Sequence, residues 1–188
     1  FDQVLSLNLL AAAEKYNQKK TEEEAASADP EIDALVAARC NYWFHVHHLN
    51  TDNGKMSKSK GEFLTVSLLE QKGYDPMAYR LFCLQSHYRR NLVFSWENLD
   101  NAVAAYDKLI AKIAALKPGE DIDREAFDKL KERFVNALNG DLNTSVAVTA
   151  LYDVLKAKCN DATKLALIAD FDQVLSLNLL AAAEKYNQ

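Results

Sequence analysis

From Ser95 to the end of the chain, apolar residues recur three and four positions apart. Trp96, Leu99, Val103, Tyr106, Ile110 and Ile113 form the first such stripe, which at 3.6 residues per turn lines one face of a helix. Ser95 is placed to cap it, and Lys117-Pro118-Gly119 ends it. Asp123 opens a second helix with Phe127, Leu130, Phe134 and Leu138 inward, stopped at Asn139-Gly140. Asn143-Thr144-Ser145 opens a third carrying Ala147, Leu151, Val154 and Leu155, and Asp161 a fourth carrying Leu165, Ile168, Val174 and Leu175. Four amphipathic helices joined by short loops predict an antiparallel, up-and-down bundle.

The pattern upstream is shorter-ranged. Phe63 to Lys72 predicts a brief element closed by Gly73, and Asp75-Pro76 caps and starts a helix with Met77, Leu81, Phe82 and Leu84 inward. Tyr42 to Asn50 is aromatic and β-branched and runs into Asp52-Asn53-Gly54, so it reads as a strand entering a turn. Asp29-Pro30-Glu31 opens one more helix, with Ile32, Leu35 and Val36 inward, after a charged connector from Lys19 to Ala28. The chain therefore divides into 1–39, a small strand-containing segment at 40–94, and the helices of 95–188, mainly α throughout.

A perfect repeat interrupts this order. FDQVLSLNLLAAAEKYNQ occupies both 1–18 and 171–188. One identical pair is unlike a solenoid, whose units come in arrays. Reading Gln188 on into Lys19 gives 40–188 followed by 19–39, so the order resembles a circular permutation with an 18-residue overlap. Both copies offer the same apolar positions, and only one can fill a given groove. The other is expected to stay undocked or to swap into a neighbouring molecule.

Composition narrows the class. Nearly half the residues are apolar, and no run approaches the roughly 20 of a membrane helix, so a globular, cytoplasmic protein with no membrane partner is expected. Net charge is −5, yet residues 40–100 hold 7 basic and 6 acidic groups whereas residues 1–39 hold 4 and 8. Phosphate contacts are expected in the middle segment. Cys40, Cys83 and Cys159 are too widely spaced for a disulfide framework or zinc ribbon. His45, His47 and His48 are divided between two strand faces, which argues against a metal site there.

The chemistry concentrates in Lys55-Met56-Ser57-Lys58-Ser59, followed by Lys60 and flanked by Gly54 and Gly61. Lysines on a bendable loop can surround a triphosphate and stabilise the charge that grows as a carboxylate displaces pyrophosphate from ATP. Ser86-His87-Tyr88-Arg89-Arg90 sets two guanidinium groups beside an aromatic ring. That makes His87, Arg89 and Arg90 candidates for RNA-backbone contact, or a cationic helix end facing its dipole.

The lysine stretch matches the signature loop of class I aminoacyl-tRNA synthetases. With NYWFHVHHL (41–49), GKMSKSKGEFLTV (54–66), YDPMAYRLFCLQSHYR (74–89), FSWENLDNA (94–102) and DLNTSVAV (141–148), the chain resembles the C-terminal portion of the cysteine–tRNA ligase family. The resemblance implies cysteine activation by ATP with Mg2+ and transfer to tRNA, with Lys55 and Lys58 catalytic on the phosphates and Met56, Ser57 and Ser59 shaping the loop. It implies a stem-contact fold at 65–95 and an anticodon-binding bundle beyond. The family's nucleotide-binding half and the ligands of its zinc have no counterpart in the chain, so no metal residues are assigned and no activity is expected from it alone. The alternative reading is a non-catalytic helical module that binds tRNA or protein.

Overall fold

The computed structural model describes residues 44–51, the backbone of 54–55, and 65–188. The first repeat copy, the expected helix after Asp29-Pro30, Cys40, and Met56 to Ser59 lie outside the described residues. Strands β1 (Leu49–Thr51), β2 (Gly54–Lys55) and β3 (Leu92–Phe94) and seven helices are seen among them. The helices are α1 (Val66–Gln71), α2 (Pro76–Leu84), α3 (Trp96–Ala114), α4 (Arg124–Asn139), α5 (Thr144–Lys156), α6 (Asp161–Leu175) and α7 (Leu179–Tyr186).

Four of the predicted start signals are real caps. The side chains of Asp75, Ser95, Asp123 and Asn143 each accept a backbone N–H in the first turn of the helix that follows, as do Thr65, which was not foreseen, and Asn160, which caps the helix expected to open at Asp161. Each satisfies a donor that the helix cannot pair internally. Gly73, after α1, has φ +85, a region open to glycine at little cost.

Three expectations are corrected. The strand expected over Tyr42 to Asn50 is, in the described part, only Leu49–Thr51, with residues 44–48 outside regular structure. Five helices follow Ser95 where four are expected: the fourth ends at Leu175, and Ser176 (φ 51) and Asn178 (φ 57) turn the chain through left-handed geometry into a separate α7. Trp96, placed in the inward stripe, is 37% exposed, because the start of α3 lies at the margin of the core.

Two apolar clusters hold the elements. The larger joins α2 to the later helices through Leu81, Leu109, Ile113, Phe134, Leu151, Val154, Ile168, Phe171 and Leu179, all nearly inaccessible. Phe134 and Phe171 stack with centroids 3.9 Å apart and planes 7° from parallel. The smaller cluster gathers Leu69, Phe82, Phe94, Leu99 and Ala102, with Leu49 and Leu92 packed on it, and so fastens the sheet to α1, α2 and the start of α3.

Candidate functional site

The sheet determines where the lysine stretch leaves the body. β1 pairs antiparallel with β2, Asn50 opposite Lys55 and Thr51 opposite Gly54. On its other side β1 pairs in parallel with β3, Leu49 opposite Leu92 and Thr51 opposite Phe94. Phe94 is buried, and Ser95 immediately caps α3. Lys55 thus lies on β2 at the edge of the sheet as described, with β1 between it and β3, the strand that leads into the longest helix described. Its backbone is placed; Met56, Ser57, Lys58 and Ser59 lie beyond the described residues.

The second candidate, 86–90, is a hook between α2 and β3. Its turn is closed by the Arg90 N–H donating to the His87 carbonyl at 2.9 Å. The hook converges on one residue that the sequence reading passed over. Tyr88 Oη donates to Asp141 Oδ1 at 2.6 Å, Arg89 Nε lies 2.8 Å from Asp141 Oδ2, and Arg89 Nη2 donates to Oδ1 at 3.2 Å. His87 Nε2 is 3.0 Å from the Asp141 carbonyl oxygen, and Thr144 Oγ1 donates to the Ser86 carbonyl at 3.3 Å. From the opposite side Phe44 packs its ring 4.5 Å from Tyr88, while the His47 N–H donates to the Tyr88 carbonyl at 2.9 Å. The hook therefore ties the segment leading into β1 to the turn between α4 and α5.

That turn is strained. Asp141 and Leu142 have φ of 66 and 50, in the left-handed region that costs side-chain-bearing residues about 1 kcal/mol or more each. Electrostatics compensates. Burial pulls the Asp141 carboxyl upward in pKa, but the hydrogen bonds from Tyr88 and Arg89 and the Arg89 charge outweigh it and leave it below the usual carboxylate value. The same bond from Arg89 to Asp141 raises the guanidinium further.

Of the three predicted RNA-contacting residues, two are thus engaged within the protein. His87 is part-buried and stacks on Tyr88, and Arg89 spends its donors on Asp141 and Tyr88 while remaining 44% exposed. Arg90 differs: it is exposed, and among the described residues no ion pair to it is seen. The reading missed Asp141 because a carboxylate 52 residues away from Arg89 leaves no local signature. Its one trace was Asn139-Gly140, which marked a turn and not its partner.

A second exposed aromatic edge was also missed. Trp96 stacks with Tyr74 at 5.6 Å, Lys72 Nζ sits 4.9 Å from the Trp96 ring centre, and Tyr74 Oη donates to Asp100 at 2.8 Å. Elsewhere, Cys83 and Cys159 are free thiols whose pKa is pushed up by burial. Among the described residues no group of three or more His, Cys, Asp or Glu is gathered as a metal would require.

Comparison with known proteins now bears on this geometry. The family model described as the tRNA synthetases class I (C) catalytic domain matches residues 19–104, an interval that includes the lysine stretch, the sheet and the hook. Similarity to cysteine–tRNA ligases extends further along the chain. The chain belongs to this class I synthetase family. It is 43% identical over 154 residues to the cysteine–tRNA ligase of Novosphingobium aromaticivorans, covering 79% of the chain and 31% of that relative. With cysteine–tRNA ligase 1 of Burkholderia lata it is 39% identical over 140 residues, covering 74% and 29%. With the ligase of Borreliella afzelii the identity is 34% over 154 residues, covering 74% and 32%. The chain thus spans about a third of the length of the curated relatives it matches. Among the described residues no helix is long and apolar enough to cross a membrane.

Proposed function

We propose that this chain contributes the ATP-phosphate loop and the tRNA-facing helices of a cysteine–tRNA ligase, and that it needs a separate nucleotide-binding part for activity. In this reading Lys55 and Lys58 grip the triphosphate while cysteine attacks the α-phosphate, and their charge counts most where negative charge grows on the non-bridging and leaving oxygens. Met56, Ser57 and Ser59 set the loop's bend. Residues 65–95 brace the catalytic part against the tRNA stem, and the helices from 95 onward form the anticodon-side bundle. The observation that carries the reading is the seating of Lys55 on β2, beside a strand in register with β3, which leads directly into α3. A loop so anchored can close on a nucleotide while the helices hold RNA in a fixed relation to it.

The test is ATP–pyrophosphate exchange. The chain alone is expected to show none, and exchange should appear when the nucleotide-binding part of a homologous ligase is supplied. It should fall by ~100-fold or more when Lys55 and Lys58 are both changed to alanine, the scale typical of lost transition-state charge stabilisation. Full exchange by the double variant in the reconstituted pair overturns the assignment. The alternative, a binding module without chemistry, predicts salt-dependent tRNA binding and no exchange under either condition.

A further inference from the structure

We propose that Trp96, with Tyr74 and Lys72 beside it, is a stacking platform for one unpaired nucleotide of an RNA. The inference rests on the proposed function only for which RNA that is, a transfer RNA; the platform itself is read from the structure. Trp96 opens α3 with 37% of its surface exposed. Its ring is nonetheless held. Buried Phe94 meets it edge-on, with centroids 5.3 Å apart and planes at 80°, and Tyr74 lies alongside at 5.6 Å and 28°. Tyr74 is itself fixed, its N–H donating to the Leu69 carbonyl at 2.9 Å and its hydroxyl to Asp100 at 2.8 Å. An exposed aromatic ring that is already immobile loses little freedom when a base stacks on it.

Lys72 covers this ring in the free protein. Its backbone closes α1, the N–H donating to the Leu68 and Leu69 carbonyls, both at 3.1 Å. The backbone is therefore fixed, while the exposed side chain carries Nζ to 4.9 Å from the Trp96 ring centre. An ammonium–ring contact at an exposed site favours the covered state by about 2- to 5-fold. A base stacked on an aromatic ring is favoured by about 5- to 150-fold. The base therefore wins the ring. The displaced ammonium, still tethered beside it on a flexible stem, then meets the phosphate of the same nucleotide.

Charge restricts the ligand to a single nucleotide. Glu97 follows Trp96 directly, and Asp100 lies one turn further along the same face of α3; both are exposed. A phosphate backbone laid along this helix would run beside two carboxylates, whereas one base with its phosphate on Lys72 avoids them. A cationic side chain of a protein partner is the competing occupant that those carboxylates would suit. Lys72 already places a cation on the ring, and a second positive charge brought there is repelled by the first.

Trp43 and Trp96 are the only tryptophans of the chain, so the Trp43→Phe protein reports the fluorescence of Trp96 alone. A short oligoadenylate and unfractionated transfer RNA should both quench it, and an RNA duplex of the oligomer's length should not. In the parent background, Trp96→Ala should weaken binding of labelled oligoadenylate, read by fluorescence anisotropy, by about 5-fold or more, and Trp96→Phe by less. Lys72→Ala should keep the full quench at saturation and lower the salt slope by about one counter-ion. The quench needs no change at Trp96, so misfolding of the alanine variant cannot mask the result. Binding of transfer RNA without quenching, and without loss in the Trp96 variants, overturns the platform and leaves the ligase reading standing. Quenching by oligoadenylate with no binding of transfer RNA supports the platform and overturns the ligase reading. A response of Trp96 to oligolysine and to neither RNA assigns the surface to a cationic protein partner and overturns the proposal.

Discussion

Asp141 offers the sharpest test of how the sheet-bearing segment is fixed to the helices. Changing it to alanine removes the acceptor for Tyr88 and the counter-ion for Arg89. A buried charge-assisted hydrogen bond contributes about 1.5–3 kcal/mol, but the Asp141 and Arg89 side chains are 37% and 44% exposed, so screening reduces that pair to about 1 kcal/mol. Loss of the acceptor for Tyr88 adds about 1 kcal/mol, giving roughly 2 kcal/mol for Asp141→Ala. Asp141→Gly forfeits the same contacts but relieves the left-handed backbone, which offsets about 1 kcal/mol. Asp141→Asn keeps an acceptor and tolerates that backbone, and is expected to cost the least. Urea titrations followed at 222 nm should give the order alanine, glycine, asparagine from worst to mildest with unchanged slopes. The pH dependence carries a sign. Because the folded carboxyl is held below its ordinary pKa of 3.8, its stabilisation is complete at neutral pH and is lost as pH falls below that value. The gap between the parent and Asp141→Asn should therefore narrow below about pH 4. An alanine variant within about 0.5 kcal/mol of the parent, or a glycine variant no better than alanine, refutes this account.

Other expectations follow from the same geometry. Arg90→Ala should leave the urea midpoint unchanged yet lower the salt slope of tRNA binding by about one counter-ion, whereas Arg89→Ala should chiefly cost stability; filter binding across a salt series separates them. Phe134→Ala removes the ring stacked on Phe171 in the main core and should cost about 3–5 kcal/mol in the same urea assay. Burial pushes the phenols of Tyr79 and Tyr106 up to about 12. The fold favours their neutral forms, so stability is full below the ordinary value of 10.0 and lost as pH rises from there toward 12. Tyr79→Phe should make that alkaline loss shallower, as read from the urea midpoint across the same pH range.

The helical part was legible because its signals are local. A cap such as Ser95 acts on an N–H three residues away, and a stripe such as Leu99, Tyr106 and Ile113 needs only its own period. What was missed depends on separations that periodicity does not record. β3 is three residues long and exists because it lies in parallel register with β1, more than forty residues earlier. α7 was not foreseen because the break before it comes from Ser176 and Asn178, neither of which is the glycine that usually marks left-handed backbone. The candidate site shows the same division. The type and spacing of Lys55 and Lys58 motivate the phosphate-loop proposal from sequence alone, but the fate of Arg89 was decided by a carboxylate on another turn.

That last point changes how charge near the hook should be understood. A guanidinium next to an aromatic ring looks like an RNA contact in sequence, yet an arginine paired with a carboxylate must give up that bond before it can serve a phosphate. Arg89 in that role would expose the strain of residues 141 and 142, since the contact that offsets it would be gone. Arg90 carries the same charge one residue later without that cost. The physical consequence is a division of labour along two adjacent arginines, the first holding the β1 approach and the α4–α5 turn together, the second remaining available to a polyanion. RNA binding that depended on Arg89 at constant fold stability is incompatible with this division, because the side chain cannot serve both anions through the same donors.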